Sequence, residues 1–320
     1  SSSTLTDKLT LYNGSFSQKP GNPVLIVSTS TTSWDPTAVV VQGRYAYAIG
    51  SGTGGDDLKI IDVSDPANPF LAGRLAIGGF PTSLKVQGRY AYIVDSTSDD
   101  LKIIDVSNPS TPVQMATLSI SGVGKPALAV QGRYVYVADE DTGNLYIINV
   151  SNPAAPSIVS TTEALTNNAG SLAVSLVVVN AYAYLTDPQS SLVKIYDISN
   201  PVVPIFVGSV TTSVQASFLA LSGRYLYDAN AGADALYVID ISNPASPALS
   251  ATFTIGGFAA GIAAAGRYVY VVDSLSDDLK VIDVASSTAP GLVGTLSLGV
   301  GVPTDLAVAG RYAYVTDTGS

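Results

Sequence analysis

A five-residue motif, Gly-Arg-Tyr-x-Tyr, recurs along the whole chain and constrains its fold more than any other feature. It stands at Gly43-Arg44-Tyr45-Ala46-Tyr47, Gly88-Arg89-Tyr90-Ala91-Tyr92, Gly132-Arg133-Tyr134-Val135-Tyr136, Gly223-Arg224-Tyr225-Leu226-Tyr227, Gly266-Arg267-Tyr268-Val269-Tyr270 and Gly310-Arg311-Tyr312-Ala313-Tyr314. A worn copy, Asn180-Ala181-Tyr182-Ala183-Tyr184, fills the remaining interval. The period is close to 44 residues, which predicts a single repeat domain over residues 1–320 rather than two unrelated domains.

One period reads as four short strands. In residues 81–118 a strand ends at Gln87-Gly88, and a second runs from Arg89 to Val94 with its tyrosines on one face. The polar turn Asp95-Ser96-Thr97-Ser98-Asp99-Asp100 leads into the third strand, Leu101–Asp105. The turn Val106–Pro112 carries two prolines, which cannot donate to a sheet ladder, and leads into a fourth strand, Val113–Leu118. Four antiparallel strands per period, arranged radially, make a β-propeller blade. The last copy ends after two strands, while Leu9–Asn13 and Pro23–Val27 read as a third and a fourth strand. The expectation is therefore an all-β, seven-bladed propeller. Its blades lie at about 36–74, 81–118, 126–161, 171–211, 215–254, 260–297 and 303–320 plus 7–28, with the N-terminal strands pairing with the C-terminal ones to close the ring.

The third strands Leu101-Lys102-Ile103-Ile104-Asp105, Leu236-Tyr237-Val238-Ile239-Asp240 and Leu279-Lys280-Val281-Ile282-Asp283 resemble the LVIVD repeat along essentially the whole chain. The resemblance implies a β-propeller of bacterial or archaeal secreted or surface proteins and implies no catalytic motif. Residues 163–180 depart from the pattern, where the period lengthens and Gly-Arg becomes Asn180-Ala181.

Composition removes several function classes. The chain has neither Cys nor His, which excludes Cys/His zinc sites and His-dependent nucleophilic triads. A net charge of −10 opposes a sequence-independent grip on nucleic acid, and all but one of the arginines, Arg74, belong to the repeat. Apolar runs such as Leu176–Val179 are too short to span a bilayer, so no membrane insertion is expected. Low charge and abundant Ser and Thr point to a secreted or cell-surface location.

Period-locked residues are read as structural. The Tyr-x-Tyr rings are expected to fill the space between blades, and the repeat arginine to pair with a repeat aspartate or lie along a neighbouring tyrosine. Asp95, Asp139, Asp187, Asp273 and Asp317 are expected to ring one face, with Gly50 and Asn230 breaking the series. The near-duplicate loops holding Asp95, Asp99 and Asp100, and Asp273, Asp277 and Asp278, are candidate calcium ligands, since calcium takes about six to eight oxygens. Turn capping by Asp is the competing reading. The same competition holds for the sequons Asn13-Gly14-Ser15 and Asn149-Val150-Ser151.

Off the repeat stands Trp34, the sole tryptophan, in Ser33-Trp34-Asp35-Pro36, with Phe80 and Phe258 in matching connections. Trp34, Asp35, Phe80 and Phe258 form a candidate contact surface at the channel mouth; the competing reading is that the large apolar rings plug the channel top or cover the core. The functional expectation is a non-catalytic binding or assembly module that contacts a protein partner or its own copies through face loops and requires no cofactor. The alternatives are calcium-dependent or lectin-like binding of a ligand such as a glycan at the channel mouth, and an Asp-based hydrolase.

Overall fold

The computed structural model describes residues 6–13, 24–32, 34–52, 55, 57–122, 124, 126–139, 141–166, 174–212, 217–299 and 301–318; for 6–13, 24–32 and 217 it describes the backbone alone. The strands in chain order are β1 (Thr6–Asn13), β2 (Val24–Thr32), β3 (Asp35–Gln42), β4 (Tyr45–Ser51), β5 (Asp57–Asp62), β6 (Phe70–Ala76), β7 (Pro81–Gln87), β8 (Tyr90–Asp95), β9 (Asp100–Asp105) and β10 (Val113–Ser119). They continue as β11 (Ala127–Gln131), β12 (Tyr134–Asp139), β13 (Asn144–Asn149), β14 (Ser157–Glu163), β15 (Leu176–Val179), β16 (Tyr182–Asp187), β17 (Leu192–Asp197), β18 (Ile205–Thr211) and β19 (Ser217–Ser222). The remainder are β20 (Tyr225–Asn230), β21 (Ala235–Asp240), β22 (Ala248–Thr254), β23 (Ala259–Ala265), β24 (Tyr268–Asp273), β25 (Asp278–Asp283), β26 (Gly291–Ser297), β27 (Val302–Ala309) and β28 (Tyr312–Thr318).

Blades 1 to 6 each take four consecutive antiparallel strands, β3–β6, β7–β10, β11–β14, β15–β18, β19–β22 and β23–β26. The seventh repeat supplies only β27 and β28. The expectation of a seven-bladed ring that the N-terminal strands close is corrected accordingly: six blades are complete in themselves, the seventh repeat is two-stranded, and the seam at the channel is made without the N-terminal strands. That seam lies between β27 and β3. The Val39 N–H donates to Asp305 Oδ2 at 2.8 Å, and Thr304 Oγ1 donates to the Pro36 carbonyl at 2.8 Å. The innermost strands converge at the axis, so they carry the contact between the last repeat and the first. β1 runs antiparallel to β28, with Lys8 opposite Asp317 and Asn13 opposite Tyr312, and β2 runs antiparallel to β1. These two strands extend the seventh repeat outward, in the order β2-β1-β28-β27.

The core lies between neighbouring sheets. Tyr47, Ile49, Leu58 and Ile60 of blade 1 pack on Leu84, Ile93 and Ile104 of blade 2. Each fully buried isoleucine contributes about 1.5–3 kcal/mol. The second tyrosine of every motif copy is buried, as expected for rings that fill the gap between blades. A bulge between the third and fourth strands of each complete blade adds to the twist that adjacent sheets need in order to nest.

The inner strands are joined at both ends. Toward one face, Thr37 Oγ1 donates to the Pro81 carbonyl at 2.8 Å and Ser83 Oγ to the Pro126 carbonyl at 2.6 Å, each bond crossing to the next blade. Toward the other, the Gln42, Gln87 and Gln131 amides donate to the carbonyls of Gly88, Gly132 and Asn180. These carbonyls belong to the tight turns opening the motif, where Gly88 and Gly132 adopt positive φ and Asn180 does the same at 53°.

Candidate functional site

On the face where one blade leads into the next, each complete blade presents a connection from the preceding blade and the hairpin between its second and third strands. The aspartates expected to ring this face are buried in it. Asp95 Oδ1 accepts the Phe80 N–H of the incoming connection at 3.0 Å and the Thr97 and Ser98 N–H of its hairpin at 2.9 and 3.1 Å. Its Oδ2 takes the Lys102 ammonium at 2.7 Å. Asp273 repeats this arrangement with Phe258, Leu275, Ser276 and Lys280. In blade 4, Asp187 holds Thr166 and the Lys194 ammonium. One carboxylate thus fastens an inter-blade connection, a hairpin and a third strand together. Burial drives these three acids toward higher pKa, but the lysine and the N–H donors outweigh it, so all three lie below the usual range.

Blade 3 has no lysine at the corresponding place, where Tyr146 stands opposite Val137 just as Lys102 stands opposite Ile93. Among the described residues Asp139 is held there by Gly124 and Thr142, and burial pushes its carboxyl up. Blade 5 has Tyr237 at the lysine's place, opposite the buried Asp228, and at the aspartate's place Asn230, a neutral side chain that accepts the Ala233 N–H at 2.9 Å.

The candidate calcium loops are knit by these lysines. Lys102 Nζ lies 3.0 Å from Asp100 Oδ1 as well as on Asp95, and Lys280 Nζ lies 2.7 Å from Asp278 Oδ1 as well as on Asp273. The positive charge beside these acids comes from the chain itself. Asp99 and Asp277 occupy left-handed turn positions, and their carbonyls accept Ile120 and Leu298. No group of three or more acidic side chains able to hold a metal ion occurs among the described residues.

The contact candidates divide. Trp34 is buried at 3% exposure beneath the Lys59 ammonium, whereas Asp35 is exposed and Phe80 and Phe258 are each 46% exposed. Each phenylalanine follows a pair of positive-φ glycines, Gly78-Gly79 or Gly256-Gly257. A Cβ on Gly79 or Gly257 would strike the carboxylate of Asp95 or Asp273, so glycine is required where the connection crosses the aspartate. With its N–H on Asp95 and its carbonyl accepting Ser96, Phe80 is held facing outward. Phe258 is held in the same way by Asp273 and Ser274. Val302 in the next connection and Leu275 on the blade 6 hairpin are also exposed.

On the opposite face the repeat arginine does both things expected of it. Arg44, Arg89 and Arg267 pair with Asp62, Asp105 and Asp283, while Arg44, Arg89, Arg133, Arg224, Arg267 and Arg311 lie over the ring of the following tyrosine. Hydrogen bonds from Arg44 and Arg89 and from the following serines hold Asp62 and Asp105 down at about 2. Asn149 caps its turn by accepting the Ser151 N–H at 2.9 Å; the sequon at Asn13-Gly14-Ser15 extends outside the described residues.

The reading from sequence missed Lys85 and Asp305. Apart from Asp35, they are the only charged residues in the seven inner strands, and both line the central channel. The signal was present as two departures from the repeat.

The fold is similar to several solved structures. The periplasmic gluconolactonase of Pseudomonas aeruginosa superposes with a TM-score of 0.75 at 15% identity, covering 98% of this chain and 99% of that one. A Bacteroides fragilis protein provisionally named a 6-phosphogluconolactonase gives 0.70 at 13%, covering 90% and 97%. BamB of Moraxella catarrhalis gives 0.60 at 12%, covering 96% and 91%. At such identities the likeness is one of fold. No curated protein matches the sequence. The LVIVD repeat model matches residues 35–76, 78–119, 126–163, 170–212, 215–254, 256–297 and 301–320. With strands, turns and inter-blade packing all following that period, the chain belongs to the LVIVD repeat family.

Proposed function

We propose that this chain is a non-catalytic binding and assembly module, secreted or displayed at a cell surface, whose contact surface is the face carrying Phe80 and Phe258. The observation that carries this reading is the clamping of both phenylalanines. Each ring stands in solvent on a backbone fixed by an aspartate on one side and a serine on the other. An apolar anchor held in place before contact loses little freedom on binding, which suits a recognition surface. Phe258, Val302, Asp35 and Phe80 stand in consecutive connections, so the exposed apolar side chains share one arc of the face. Asp95, Asp187 and Asp273 are taken up by the lysines and backbone N–H groups described above, which lowers the charge to be desolvated against a protein partner or a second copy of the chain. The test is sedimentation velocity over a concentration series for the wild type and for the Phe80→Ser, Phe258→Ser double variant. Association that the double variant loses is expected. A wild type that stays monomeric throughout, or turnover of a lactone by the purified chain, would overturn the reading.

A further inference from the structure

The central channel widens into a cavity of about 490 Å³, within the range of small-molecule sites. Its lining includes Thr37, Ser83, Lys85, Ser175, Thr304 and Asp305. The two charged members break the repeat. The position opposite the second tyrosine of each motif holds Val40, Lys85, Ala129, Val177, Ala220, Ala263 and Ala307 in turn, so Lys85 is the single polar residue there. Two residues earlier in each inner strand stand Ala38, Ser83, Ala127, Ser175, Phe218, Gly261 and Asp305, among which Asp305 alone is charged. A blade needs neither charge, since the other blades pack without one. Yet β27 and β7 flank β3 on its two sides and bring both residues to the same stretch of channel.

Their chemistry is complementary to one class of ligand. The Lys85 ammonium makes no hydrogen bond or close ion pair with any described residue, lies within electrostatic reach of Asp305 and is exposed to the channel. Asp305 answers this charge only through space, which leaves the ammonium's N–H donors open to an anionic ligand. Asp305 accepts the Val39 and Leu306 N–H groups at 2.8 Å each and retains lone pairs. Thr37, Ser83 and Thr304 give their hydroxyl protons to backbone carbonyls and keep acceptor capacity. One cationic donor amid several acceptors suits a ligand with a single negative charge and several hydroxyl groups.

We infer that the central channel binds a small polyhydroxy monocarboxylate, with its carboxylate on Lys85 and its hydroxyls on Asp305 and the threonine and serine oxygens. This site is independent of the Phe80 and Phe258 face, and neither reading falls with the other. Titration calorimetry with sodium gluconate tests it, with sodium acetate supplying the charge alone and glucose the hydroxyls alone. Gluconate is expected to bind once per chain, more tightly than either control. Lys85→Met should weaken it by about tenfold or more, the scale of a lost charge-assisted hydrogen bond. Asp305→Asn should weaken gluconate without weakening acetate, whose carboxylate then meets Lys85 free of the opposing charge, and Phe80→Ser with Phe258→Ser should leave both unchanged. Lys85 is exposed, so its variant keeps the wild-type melting temperature and reads binding alone. Absence of gluconate binding, equal affinity for acetate, or full affinity in Lys85→Met would overturn the inference.

Discussion

The Lys59 ammonium stands 3.7 Å from the centre of the Trp34 ring, at the place where blades 2, 4 and 6 close a lysine onto an aspartate. Strand register explains the exchange. Pro36 pairs with Gly50 as Pro81 pairs with Asp95, so Trp34 occupies the place of Gly79 and Gly50 that of Asp95. A Cβ on Gly50 would come within 2.8 Å of Trp34 Cε2 and closer still to the Asp35 carbonyl. Blade 1 thus carries the large residue where blade 2 has the small one and the small where it has the large, and the lysine stands over the face of an indole where blades 2, 4 and 6 place a carboxylate.

The exchange predicts compensation. Trp34→Gly alone should cost about 3–5 kcal/mol through the cavity it opens, and Gly50→Asp alone about 1–3 kcal/mol through overpacking. The double variant rebuilds the glycine and aspartate of the other blades and should be more stable than the sum of the single effects implies, with a coupling of about 0.5–3 kcal/mol. Urea denaturation followed by circular dichroism measures all three; additive effects would refute the exchange.

Trp34 is the sole tryptophan, so fluorescence reads this place directly. Emission should be blue-shifted and poorly quenched by acrylamide in the native state. Lys59→Ala should increase the quenching without unfolding the chain.

The buried lysines make a second test. Lys102→Met leaves the Asp95 carboxylate buried without its ammonium and should cost about 3–5 kcal/mol. Combining it with Asp95→Asn should recover most of that loss, because blade 5 uses Asn230 at the same position beside an uncharged Tyr237. The comparison is again a denaturation midpoint.

Stability should depend on pH with two opposite signs. The folded pKa values of Asp95, Asp187 and Asp273 lie below the unfolded ones, so their stabilisation is present above the ordinary carboxylate range and lost as pH falls through the folded values. Asp139 is raised by burial, so the native state holds its proton more tightly and stability declines as pH rises from the unfolded value through the folded one. Asp139→Asn should therefore raise the melting temperature near neutral pH, and the gain should shrink in acid. A variant that melts lower than the wild type near neutral pH would contradict this.

The glutamine links at the other end of the inner strands are exposed and should be weak. Gln87→Ala removes one hydrogen bond of 2.8 Å to the Gly132 carbonyl and should cost about 0.5–1.5 kcal/mol. A thermal melt suffices to measure it.

What could be read in the sequence was what repeats. Four strands per period, buried second tyrosines and an arginine shared between an aspartate and a tyrosine all follow from spacing, because a residue that recurs once per blade meets the same neighbours each time. The ring of aspartates on the face also follows from the period, but their burial does not. Nothing in Asp95-Ser96-Thr97-Ser98-Asp99-Asp100 shows that Lys102, two residues into the next strand, folds its ammonium back under the hairpin. For Trp34 the sequence leaves a contact role and a role in covering the core both open, because its compensating glycine lies a whole hairpin away.

The period, the strand count within it and the side chains that fill the gaps between blades are legible along the chain, since these depend on neighbours within one repeat or the next. Which departures from the repeat come together is settled only in the folded ring. Trp34 with Gly50, and Lys85 with Asp305, are brought together by strand register and by the circular order of the sheets. That order joins β27 to β3 and so sets the end of the chain beside its first complete blade, a proximity that separation along the chain cannot express.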